Sequence, residues 1–129
     1  MSDTRTNISS GTSWEEKFGY SRIVKKGPFV FIAGTVAANE EGQLVGGTDA
    51  GKQTEYIFEK IFKYLAKAEA TPNDIIRIRI FTTDISQWEA IGAAHGKIFK
   101  DIKPAMSMIG VDAFVDDKFL VEIEADAVV

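Results

Sequence analysis

The chain has 129 residues, enough for one hydrophobic core of ordinary size and too few for two. Its 15 basic and 19 acidic side chains give a net charge of −4, which argues against a general binder of phosphate backbones; nucleic acid is disfavoured as a partner. The lack of cysteine excludes disulfides and thiolate metal sites. No apolar run approaches the roughly 20 residues that cross a bilayer, and the first thirty residues do not resemble a secretion signal. A cytoplasmic protein with no membrane partner is expected.

Residues 1–19 are rich in Ser, Thr, Asn and Gly and read as an N-terminal arm, followed by a single domain over 20–129. Ser13-Trp14-Glu15-Glu16 resembles a capping box that opens one short turn, and Trp14 and Phe18 imply that the arm docks. "YSRIVKK" and "FVFIAGT" flank Gly27-Pro28 and predict a hairpin from about 20 to 35. Residues 38–48 carry a loop. Ile57, Phe58, Ile61, Phe62, Leu65 and Ala68 recur at helical spacing and predict a helix from Asp49 to about Ala70, capped by Thr48 or Asp49 and closed off by Pro72.

"DIIRIRIFTTDI" alternates as a strand should, with Ile76, Ile78 and Ile80 on one face and Arg77, Arg79 and Phe81 on the other. Ser86 is placed to cap a second helix to about Lys100, with Trp88, Ile91, His95, Ile98 and Ile102 on its apolar edge. "MSMIGVDAF" and "FLVEIEADAVV" predict two final strands. In the last, Val121, Ile123, Ala125 and Ala127 oppose Glu122, Glu124 and Asp126. The order β-β-α-β-α-β-β gives an α+β fold whose two helices cover one face of the sheet. The other face mixes charge with Phe81 and predicts an oligomer.

Few residues suggest chemistry outright. His95 is the sole histidine, so any Ser-His-Asp arrangement must use it; on a helix's apolar edge, a packed role is preferred over a base. "EEGQLVGGTDAGK" lacks P-loop spacing, and Asp49 at the helix start would repel phosphate, so it reads as a turn. Glu122, Glu124 and Asp126 suit a hard cation or acid–base work, against the plainer reading of carboxylates solvated or paired with Arg77 and Arg79. That plainer reading is preferred for Glu124 and Asp126. The two arginines suit an anionic substrate only if they lie in a cleft.

"GYSRIVKKGPFVFIAGT", "DAGKQTEYIFEKI", "DIIRIRIFTTDISQWEAI", "KPAMSMIGV" and "VEIEADAVV", in this order and spacing, resemble the Rid family of reactive intermediate deaminases, also called the YjgF or L-PSP endoribonuclease family. The similarity runs from about Asn7 to Val129. It implies a chorismate-mutase-like α+β unit assembled as a homotrimer, with small-molecule clefts between subunits and no cofactor or metal. In deaminating members an arginine two residues after the proline of "KPAM" holds the carboxylate of an imine or enamine. Here that position is Met106, which has neither charge nor donor. The resemblance also implies that Glu122 positions the attacking water and that Tyr20 lines the cleft. A cleft asparagine of those members aligns with Gly92, and a small hydroxyl residue with Ala33, although Thr35 follows.

The chain therefore resembles the branch lacking the carboxylate arginine, and the resemblance selects the partner-covered sheet face for Met106 and Met108. Slow hydrolysis of 2-aminoacrylate is expected, and an apolar wall in place of the arginine favours a less charged ligand. Arg79 is the candidate replacement for the lost cation. Two further functions are weighed: a non-catalytic ligand-binding or regulatory trimer, and, ranked lowest, RNA cleavage.

Overall fold

A computed structural model describes residues 4–129. The expected elements are β2 (Ile23–Lys26), β3 (Phe29–Val36), α2 (Ala50–Lys67), β4 (Ile75–Thr82), α3 (Trp88–Phe99), β5 (Ala105–Gly110) and β6 (Val121–Val128). The segment ahead of them adds β1 (Arg5–Ile8) and α1 (Ser13–Phe18). One six-stranded sheet runs β1-β2-β3-β6-β4-β5, antiparallel except for the β4–β5 pair, which α3 connects as a parallel crossover. The fold is α+β.

Helix α2 follows its periodicity closely. Asp49 is the N-cap, its side chain accepting from the Lys52 amide at 3.1 Å, a contact that contributes about 1 kcal/mol. Ile57, Phe58, Ile61 and Leu65 are completely buried against the sheet, and burying each stabilises the fold by about 1.5 to 3 kcal/mol. From below, Val30, Ile32, Ile78, Ile80, Val121, Ile123, Ala125 and Ala127 complete this core. Among the described residues, no helix is long and apolar enough to cross a membrane.

Several expectations need correction. Ile76 is 54% exposed and Ile75 takes its place in the core, because the β4–β6 register shifts between Ile75 and Arg77. Ser86 does not cap α3: it lies in a 3-10 turn, Ile85–Gln87, whose cap is Asp84, and α3 begins at Trp88. Trp88 is itself 56% exposed, and Phe99 fills the core position instead. The short arm helix is capped by Thr12 and not by Ser13.

Glu15 holds the arm to the body. It is buried, and accepts hydrogen bonds from the Ser10 amide and hydroxyl, the Thr12 hydroxyl and the Arg22 amide. Burial would raise its pKa, but these donors outweigh burial and bring it to about 2. Trp14 and Phe18 instead remain exposed, stacked on each other with ring centroids 5.3 Å apart.

Candidate functional site

The site is organised by a bulge in β3. Its pairing with β6 slips between Ile32 and Thr35, setting Ala33 and Gly34 outside the regular ladder. Glu122 of β6 lies opposite Val36 on one side and Phe81 of β4 on the other. Its carboxyl folds over Gly34 so closely that a Cβ on that glycine would lie 2.8 Å from both Cδ and Oε1. A side chain at position 34 would therefore displace the Glu122 carboxyl from where it lies, with no unusual φ involved.

Glu122 is half-buried, and no hydrogen bond or ion pair to its carboxyl exists among the described residues. Burial pushes its pKa above the ordinary carboxylate value; Arg22 opposes this and Glu124 adds to it. A carboxyl in that state accepts a proton from a bound water more readily than a solvated one does.

Arg22, which sequence reasoning did not single out, stands at the entrance to β2. Its Nη1 donates to the carbonyl oxygen of Gly34, and more distantly, at 3.5 Å, to that of Ala33. Its guanidinium lies over the Tyr20 ring, 5.7 Å from the centroid. The signal was present in "GYSRIV", where Arg22 follows Tyr20 by two residues just ahead of the strand. Lys60 of α2 donates to the Val36 carbonyl at 2.9 Å. Burial, with Arg22 nearby, lowers its pKa to about 8.

Thr35 is buried and donates to the Ala33 carbonyl at 2.8 Å, so its hydroxyl lies beneath the bulge. Arg79 forms ion pairs with Asp126 at 3.1 Å and Glu124 at 3.4 Å, which is the pairing preferred for those two carboxylates. His95 is packed against Phe58 and Phe99, its Nε2 buried without a hydrogen-bond partner among the described residues, and burial lowers its pKa.

Met106 and Met108 lie on the other side of the sheet. In the parallel β4–β5 register they sit beside Ile78 and Ile80, both completely buried under the helices. Met108 packs on the core and approaches Gly92 of α3, its Cε 3.9 Å from where a Cβ there would be. The assignment of the methionines to the face of Glu122 is therefore corrected. Met106 is 38% exposed because β5 is the edge strand. Within one chain the residues form two groups on opposite faces, Tyr20, Arg22, Ala33, Gly34 and Glu122 in one, Gly92 and Met106 in the other.

Residues 13–129 match the model of a family described as endoribonuclease L-PSP. The chain belongs to this family, the YjgF or Rid family. A solved structure of a YjgF/YER057c/UK114 family protein from Mycobacterium tuberculosis shares 41% identity, with a TM-score of 0.87 over 98% of this chain and 100% of that one. An uncharacterised protein of Streptomyces coelicolor is 31% identical over 126 residues, 98% of this chain and 93% of its own. A RutC family protein of Pyrococcus abyssi is 31% identical over 109 residues, 84% of each.

Proposed function

We propose that this Rid-family protein is a homotrimer whose clefts, each shared by two subunits, bind a small metabolite and hydrolyse an imine or enamine bulkier and more apolar than 2-aminoacrylate. The observation that carries this reading is the Glu122 carboxyl, half-buried beside Gly34 and without a hydrogen-bond or ion-pair partner among the described residues. Support for a shared cleft comes from the separation of the two residue groups, since only a neighbouring subunit can bring Met106 opposite Glu122. The open sheet face also carries Phe29 and Phe31, about half exposed, and Ile109, 41% exposed, enough apolar surface to favour a partner copy. A cytoplasmic location belongs to the same proposal.

In the reaction, Glu122 takes a proton from water as the water oxygen bonds to the imine carbon. It then returns that proton to nitrogen, giving a carbinolamine; in a second transfer Glu122 moves the hydroxyl proton to the amino group, so that the carbon–oxygen double bond forms as the carbon–nitrogen bond breaks and a carbonyl compound and ammonia leave. An enamine first takes a proton at carbon to become the imine. No metal or cofactor enters this scheme. RNA cleavage is not supported, because the one histidine is packed between phenylalanines.

The test supplies imines in situ, 2-aminoacrylate from a dehydratase and longer imino acids from an amino-acid oxidase, and follows release of the oxo acid. The longer substrates are expected to be accelerated clearly more than 2-aminoacrylate. A 2-aminoacrylate rate matching an arginine-bearing member would contradict the substrate assignment. A second reading, a non-catalytic ligand-binding or regulatory trimer, is favoured by Gly92 and Met106, which offer a ligand no side-chain donor.

A further inference from the structure

Arg22 and Glu122 are close enough to influence one another, yet they do not form an ion pair. The guanidinium is held elsewhere: Nη1 is used by the bulge carbonyls of Gly34 and Ala33, and the plane rests on Tyr20. Nε and Nη2 have no protein partner among the described residues. A guanidinium fixed by one nitrogen and one face has already lost most of its rotamer freedom, so its remaining donors are set for a planar anion. The other cations nearby are committed, Lys60 to the Val36 carbonyl and Arg79 to Glu124 and Asp126.

The geometry points to Arg22 as the anchor for a ligand carboxylate, so that the acid group is held from the Glu122 side of the cleft and the ligand's apolar body lies toward Met106. This rests on the cleft reading above and extends it: the ligand is a carboxylate with an apolar tail, and its charge is met at a different wall from the one that β5 provides. It also replaces the expectation of a less charged ligand, which considered only Met106. A bulge staple with no contact to ligand is the alternative role for Arg22.

The test measures binding of 4-methyl-2-oxopentanoate, a stable oxo analogue of an apolar imino acid, and of its uncharged methyl ester, by titration calorimetry. The intact protein is expected to bind the acid at least about tenfold more tightly than the ester. Arg22→Gln is expected to weaken the acid by about 10- to 100-fold and leave the ester within about twofold. Equal weakening of acid and ester, or no preference for the acid in the intact protein, would overturn the assignment and leave the cleft reading standing. Binding of neither compound by the intact protein would overturn both. If Arg22→Gln fails to fold, Arg22→Lys keeps the charge without the fork, and an unchanged acid affinity there would overturn the assignment.

Discussion

Glu122→Gln is expected to slow hydrolysis of the best imine substrate by about 100- to 10,000-fold, the range a positioned acid–base group supplies. An amide has nearly the shape of the carboxylate but cannot take the proton of the attacking water. Stability should not suffer. Burial raises the pKa of Glu122 in the folded chain above the ordinary value of 4.5, so its ionisation opposes folding once the pH exceeds that value. The stability present in acid is lost as the pH rises through the folded pKa, and the neutral glutamine avoids that loss at pH 7. The expected pattern is thus a collapsed kcat with a melting temperature that is not lowered. Retained turnover would remove Glu122 from the chemistry, and ligand-dependent stabilisation without turnover in the unaltered protein would favour the regulatory reading.

Met106→Arg is the second large effect. A guanidinium at this position is expected to raise kcat/KM for 2-aminoacrylate by about 10- to 100-fold, the contribution of a charge-assisted hydrogen bond to a substrate carboxylate. Within its own chain the site accepts the change, because Met106 is 38% exposed on an edge strand and the longer side chain has room to reach outward into the cleft. No gain would mean that the methionine does not account for the slow 2-aminoacrylate hydrolysis expected. Gly92 would then be the departure to restore, since asparagine there adds a second polar contact and the nearest atom, Met108 Cε, leaves room for a Cβ.

Much of this architecture was legible in the chain. The α2 face, its Asp49 cap and the alternation of β6 follow from local patterns that tertiary structure did not override. The misreadings arise where periodicity alone does not determine direction. The β4–β6 irregularity exchanges Ile75 for Ile76, which strict alternation cannot anticipate. Met106 and Met108 were assigned to the wrong face because alternation within β5 says only that they share a side; its parallel register with β4 decides which side.

The site was legible in part. Glu122 and Tyr20 stand at positions marked by resemblance, whereas Arg22 acquires its significance only when the β3 bulge turns two carbonyls toward it. Nothing in a linear pattern announces such a bulge beyond the glycine at position 34, and the carboxyl packed on Gly34 comes from a strand almost ninety residues later, at position 122.

A cleft completed by a second copy brings residues of neighbouring chains within cross-linking reach. Because the chain has no cysteine, the double variant Tyr20→Cys/Met106→Cys allows a direct measurement, treatment with a short bis-maleimide followed by a denaturing gel. These positions lie in groups on opposite faces within one chain, and a head-to-tail ring would bring them together between neighbours. The account predicts covalent dimers and trimers, with the series ending at three. Migration as monomer alone, or a ladder continuing past three, would contradict it.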